Sequence, residues 1–326
     1  MTHAPSKRIA ARTPAPPMSE DRLLKKILHG FPESNDLVVG PGDDCAIVQI
    51  GREFQLLKTD CIVEDVHFLR SENPARVGWK ALCRPLSDIA AMGGDPCQAL
   101  VTILSPPDLD PAYWVAFYRG LRKAAKRFGV SLAGGEISRQ PAGIAVSVAL
   151  TGHLSGKRFV LRSGGRPGDI LFVTGQLGGT IGGHHLDFHP RLAEGRWLAE
   201  AGQVNAMMDI SDGLGADLPR LARASGCGFD VDLSLLPIRA GSDVSGALSD
   251  GEDYELLAAI QPRRAQRMLE HWNEQFPDTR LTRIGVLTDT GAAPAGWPQG
   301  WDHFDVVKKR PGSQRGPQSQ PSRKPL

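Results

Sequence analysis

The sequence predicts an α/β (α+β) protein of two domains, with mixed sheets covered by helices, and three observations carry that reading. Strand-like and helix-like segments alternate along its middle. Its 326 residues exceed the usual size of one domain. A basic, loop-like stretch near the midpoint, SGKRFVLRSGGRPGD at 155–169, interrupts the alternation and is the best domain boundary. With 41% hydrophobic residues the chain can bury a sizeable core.

Apolar segments bounded by turn residues are expected as strands. In order these are 46–50, 54–63, 99–104, 130–134, 143–154, 170–175, 206–210, 228–233 and 254–260. Helical periodicity covers 75–92, 111–128 (opened by Pro111), 213–225 and 262–275. Another helix is expected after Pro190, turning Trp197 and Leu198 to the core. Both ends are basic and rich in Pro, Ser, Gln or Gly, so 1–18 and 308–326 are expected to be disordered tails, leaving domains at 19–157 and 158–307.

Charge is distributed unevenly. The net charge is +2, but the tails hold nine Lys or Arg and no acid, so 19–307 carries −7. Nucleic acid is therefore not an expected partner of the body. No apolar run approaches the roughly 20 residues of a membrane span, and the basic N-terminus lacks a signal-peptide core. The five cysteines are odd in number and scattered, which fits reduced thiols, a cytoplasmic location, and neither a zinc nor a disulfide framework.

Six acidic clusters stand out: GPGDDCAIV (40–48), KTDCIVEDVHF (58–68), PLSDIAAMGG (85–94), GGEISR (134–139), MMDISDGL (207–214) and DGEDYELL (250–257). Carboxylates at strand ends and glycine turns suit hard cations such as Mg²⁺, so metal-bridged phosphate is the first functional expectation. There is no Walker A loop; GHLSGKR at 152–158 is one residue short, and GQLGGTIGG at 175–183 misses the dinucleotide spacing and reads as a flexible loop. Nucleotide would have to be held through metal ions, basic groups and backbone amides. His184, His185 and His189 lack zinc-like partners and read as a solvated loop. Taken singly, Asp43 and Asp44 also fit a turn after Pro41, and Asp209, Ser211 and Asp212 fit a helix start. Six clusters in one chain favour a site.

GPGDDCAIV, TDCIVEDVHF, GWKALCRPLSDIAAMGGDPCQAL, GGEISR, LRSGGRPGDILFVTGQLG, DISDGLGADLPRLARASGCG and GEDYEL, in this order, resemble the thiamine-monophosphate kinases over roughly residues 20–306. That family lies in the aminoimidazole ribotide synthase-like superfamily. The resemblance implies an N-terminal ATP- and Mg²⁺-binding domain that forms a homodimer, and a reaction of ATP with thiamine phosphate giving thiamine diphosphate and ADP. It implies several Mg²⁺ ions near Asp44, Thr59, Asp60, Asp88, Glu136, Asp209 and Asp212, with Asp60, Asp88, Asp209 and Asp212 central to catalysis. It also implies ATP contacts at Gly135, Glu136, Arg162 and Ser211, and thiamine phosphate contacts at His67, Glu252 and Trp301.

The chain departs from that pattern at three positions. Glu136 stands for the usual Asp, Lys58 for a small hydroxyl residue, and Pro85 for Asn. Lys58 either removes a metal contact or substitutes a fixed cation, and Pro85 either kinks its helix or begins it. These departures keep open a non-catalytic binder of thiamine phosphate or nucleotide, beside another ATP-dependent enzyme of the superfamily.

Overall fold

A computed structural model describes residues 20–300 apart from 33, 155–157 and 299; both basic tails and Trp301 lie outside the described residues. Six strands, β1 (Leu37–Val39), β2 (Ala46–Ile50), β3 (Glu53–Val63), β4 (Asp95–Ser105), β5 (Ser131–Arg139) and β6 (Ala145–His153), form a sheet in the order β1-β2-β3-β6-β4-β5. Only β4 and β5 run parallel, so this sheet is mixed. Five more, β7 (Ile170–Thr174), β8 (Val204–Ile210), β9 (Gly228–Val231), β10 (Glu255–Ile260) and β11 (Leu281–Thr288), form a second sheet in the order β8-β10-β7-β11-β9. It is antiparallel throughout.

The helices are α1 (Glu20–Ile27), α2 (Pro74–Ala91), α3 (Pro111–Phe128), α4 (His184–Asp187), α5 (Leu192–Glu200), α6 (Leu214–Ala224), α7 (Val244–Ser249) and α8 (Pro262–Gln275). Their ends follow local chemistry. Asn73 caps α2 by accepting the Ala75 N–H, with Pro74 in the first turn, and Asp110 caps α3 by accepting the Ala112 N–H. Gly129, at φ 72°, ends α3 in the left-handed region. Pro85 neither starts nor stops a helix: α2 runs through it to Ala91. The ring costs one backbone hydrogen bond, but Pro85 is buried along with Leu82, Leu86 and Ile89, whose packing holds the helix together.

Helix α2 is the centre of the molecule, with 14 of its 18 residues buried. It packs on β3 and β6 of the first sheet and also touches β8 of the second. The second sheet is covered on both sides: Leu171, Met208 and Leu257 share a core with Leu218 of α6, and Phe172, Met207 and Leu256 share another with Met268 and Trp272 of α8. Among the described residues the first sheet is covered on one side only. Its inner face supplies Leu56, Val101 and Val148 to the α2–α3 core, whereas Leu57, Leu100 and Leu104 on the outer face are 39%, 50% and 36% exposed.

Two glycines set the α2–α3 distance. A Cβ on Gly120 would lie 1.7 Å from the Ala75 carbonyl oxygen, and one on Gly78 would lie 1.9 Å from that of Phe117. Backbone cannot yield as a flexible side chain does. Gly120→Ala is therefore expected to destabilise the fold by about 1–3 kcal/mol through overpacking, measured by urea unfolding, even though alanine favours helix.

Two expected loops are ordered. In the 175–183 segment the Gly178 and Gly179 N–H groups donate to Asp253 and Asp250, each at 2.7 Å. The histidine segment is not a solvated loop, because His184 and His185 open α4, His185 is buried against the Thr180 carbonyl, and His189 packs on Trp79. The expected helix after Pro190 is α5, in which Leu198 is fully buried.

Candidate active site

Three carboxylates from separate elements converge where the two sheets meet. Asp44 precedes β2, Asp88 lies in the last turn of α2, and Asp209 lies near the end of β8. All are buried, and one ligand oxygen from each lies within 4.8 Å of the other two. Around them, Lys58 Nζ on β3 is 2.5 Å from Asp88 Oδ1, and Arg162 donates to Asp44 Oδ1 through Nε at 3.1 Å and Nη2 at 2.5 Å. Ser87 Oγ donates to Asp209 Oδ2 at 2.7 Å. The Arg162 backbone N–H donates to Asp43, which pins the segment between the sheets beside the triad.

Burial, and after it the crowding of negative charge, disfavours ionisation here. Asp209 is pushed up to about 6 by burial and then by the Asp44 charge, against the pull of Ser87, Lys58 and Arg162. Burial also raises Asp88, against the pull of Lys58. Asp43 is likewise pushed up to about 6 by burial and by Asp44. The second oxygen of Asp44 is buried with no hydrogen-bond partner. Clustered oxygen donors, an unpartnered carboxylate oxygen and a deficit of positive charge fit a hard divalent cation such as Mg²⁺.

The remaining candidates fall into four groups. Asp60, on the same face of β3 as Lys58, is 3.2 Å from Arg84 Nη2. Asp212 is 2.5 Å from Arg220 Nη1, which also holds Asp217, and Asp217 in turn accepts the Ser211 and Asp212 N–H groups at 2.9 Å. The turn before α6 is thus organised by Asp217, and not by a side-chain cap from Asp209, Ser211 or Asp212. His67 and Glu252 meet through Lys80: its Nζ donates to the His67 carbonyl and to Glu252 Oε2, both at 2.5 Å, inside the protein. Thr59, Gly135 and Glu136 stand apart. Thr59 points to the outer sheet face, opposite to Lys58 and Asp60, and contacts Ser147; Glu136 pairs in register with outward-facing Thr102 and accepts from Ser138 Oγ. A Cβ on Gly135 would collide with the Val101 carbonyl at 2.0 Å, so glycine there has a packing reason of its own.

Sequence reading passed over Lys80, Arg84 and Ser87. Together with Asp88 they follow the spacing i, i+4, i+7, i+8, which places them on one face of α2 looking toward the site. That regular polar stripe inside an otherwise apolar helix was a usable signal.

A two-domain fold whose carboxylate site lies between its sheets defines the class. The family description "AIR synthase related protein, N-terminal domain" matches 42–154, and "AIR synthase related protein, C-terminal domain" matches 166–294. The thiamine-monophosphate kinase of Rhodopirellula baltica is 34% identical, covering 83% of this chain and 92% of its own length; that of Aquifex aeolicus is 36% identical, covering 81% and 92%. A solved complex of AaThiL with AMPPCP and TMP superposes with a TM-score of 0.74 at 34% identity, covering 88% of this chain and 97% of its own. The chain belongs to the thiamine-monophosphate kinase family.

Proposed function

We propose that the chain transfers the γ-phosphoryl group of ATP to thiamine phosphate, giving thiamine diphosphate and ADP. The observation that carries this reading is the buried Asp44–Asp88–Asp209 triad between the two sheets, in a chain of this family. The acceptor is already a phosphate anion, so the reaction needs no strong base; it needs two polyanions brought into line. Mg²⁺ held by Asp44, Asp88 and Asp209, with Asp60 and Asp212 as further ligands, would neutralise phosphate charge and fix that geometry.

The protein's own groups do the rest. Arg162, anchored on Asp44, presents a guanidinium to phosphate oxygens, and the Ser211 segment is held in place by Asp217. Lys80 fixes the mutual position of His67 and Glu252, the candidate acceptor-facing residues. In this reading the apolar outer face of the first sheet, with Leu57, Leu100 and Leu104, pairs with that of a second copy, and Thr59, Gly135 and Glu136 act near that junction. Among the described residues no helix is long and apolar enough to cross a membrane, and the five free cysteines are compatible with the cytoplasmic location that we include in the proposal.

The test is Mg²⁺-dependent ADP release with thiamine phosphate against thiamine and other phosphate acceptors, with light scattering on the same sample. Turnover confined to thiamine phosphate, by a dimer at micromolar concentration, is the expected result. Binding of thiamine phosphate without product would replace the kinase by a non-catalytic binder, and a monomer would remove the dimer from the proposal.

A further inference from the structure

The ammonium group of Lys58 is placed more firmly than a surface lysine. It projects from β3, which is hydrogen-bonded on one side to β2 and on the other to β6, and its side chain is 22% exposed. Its Nζ lies 2.5 Å from Asp88 Oδ1, one of three carboxylates whose oxygens approach within 4.8 Å. The acidic site therefore already contains a cation of its own, fixed by the strand.

We propose that Lys58 is a built-in cation of the site, occupying Asp88 so that the triad takes a single divalent cation. The proposal rests on the reading of Asp44, Asp88 and Asp209 as a divalent-cation site. Charge among the directly paired groups favours one ion. Fully ionised, as a metal requires, the triad carries −3; Lys58 on Asp88 and Arg162 on Asp44 return +2, leaving −1. One divalent cation brings these five groups to +1, and a second would leave +3, or +2 with Asp43 beside them, in a buried space, which desolvation opposes before any phosphate arrives. Coordination points the same way. Lys58 holds one Asp88 oxygen and Arg162 holds one Asp44 oxygen, so each offers one free oxygen to an ion that demands tight octahedral geometry. Without Lys58 the count becomes −2 and Asp88 regains a second oxygen, enough to hold another divalent ion. A tethered ammonium also cannot diffuse away, so part of the positive charge facing phosphate is independent of Mg²⁺ concentration.

The experiment is Mn²⁺ binding to the full chain without nucleotide, read from the paramagnetic resonance signal of free Mn²⁺. The proteins are wild type, Lys58→Met, Lys58→Arg and Asp209→Asn. Ions lost in Asp209→Asn are those at the triad. We expect that loss to be one per chain, Lys58→Met to bind one more than wild type, and Lys58→Arg to match wild type. The Mn²⁺-induced rise in melting temperature should be larger in Lys58→Met. An unchanged count in folded Lys58→Met overturns the proposal, as does a loss of two ions in Asp209→Asn. If Lys58→Met does not fold even with Mn²⁺, Lys58→Gln, which keeps a polar head without the charge, takes its place and must bind one more ion than wild type. Should Asp209→Asn lose no ion, the divalent-site reading itself fails; inactivity toward thiamine phosphate with these counts intact would refute only the reaction.

Discussion

Replacing Asp209 by Asn is expected to lower phosphoryl transfer about 10³-fold or more while leaving the metal-free protein as stable as wild type, or more so. The loss follows from removing a charged ligand worth several kcal/mol to the transition state. The stability follows from electrostatics. Asp209 faces Asp44 across the triad, and its pKa is pushed up to about 6 from an ordinary 3.8, so the ionised form is disfavoured in the folded state. For a raised carboxylate the cost is absent below the unfolded pKa, grows between about 4 and 6, and is complete above 6. Asn carries no charge and its carbonyl still accepts from Ser87 Oγ. In EDTA the variant's advantage should therefore be on the order of 1–3 kcal/mol at pH 8 and shrink as pH falls through 6. Added Mg²⁺ should stabilise wild type and not the variant. A parallel fall in melting temperature and activity, unaffected by Mg²⁺ or pH, would make Asp209 structural.

The second large effect is expected at Lys80. Its ammonium is fully buried, 2.5 Å from Glu252 and from the His67 carbonyl, and joins residues far apart in sequence across the two sheets. Lys80→Met should cost about 3–5 kcal/mol, because it removes the counter-charge from a buried carboxylate. Adding Glu252→Gln to Lys80→Met should recover much of that loss, since the buried carboxylate that has lost its lysine goes with it. Chemical denaturation of both single variants and the double variant measures the coupling. Additive losses would show that the pair is not a unit.

The sequence was legible where one local rule governs a segment. The apolar runs at 46–50, 54–63 and 143–154 became β2, β3 and β6, and the Asp110–Pro111 start with Gly129 behind it framed α3. Strand β11 was missed because its buried residues follow no single period: Leu281 faces the α8 core while Ile284 and Leu287 face the α6 core, and a bulge between Arg283 and Gly285 shifts the register between them. Helix α7 is only six residues long, too short for periodicity to declare itself. At the site, residue types revealed the acids, but proximity belongs to the tertiary fold. Nothing local distinguishes Asp44, Asp88 and Asp209, which converge, from Glu136, which lies on a different sheet face. The basic partners were hidden for a related reason. Lys80 and Arg84 look like ordinary helix charges until the second sheet closes over them.

The turn 250–255 ties these layers together by alternation. Asp250 and Asp253 reach back to the glycine segment at Gly179 and Gly178, Glu252 reaches Lys80, and Glu255 holds Thr174 and Arg191. Each carboxylate points in its own direction because the backbone reverses hand repeatedly: Gly251, Glu252 and Tyr254 have φ of 68°, 57° and 53°. Left-handed conformations at Glu252 and Tyr254 cost on the order of 1–3 kcal/mol each and persist only because the contacts over-determine them. The turn therefore works as a ruler, in which spacing matters more than any one side chain. Many single exchanges would weaken one tie and leave the others aligned, whereas inserting or deleting one residue would rotate every later carboxylate off its target at once.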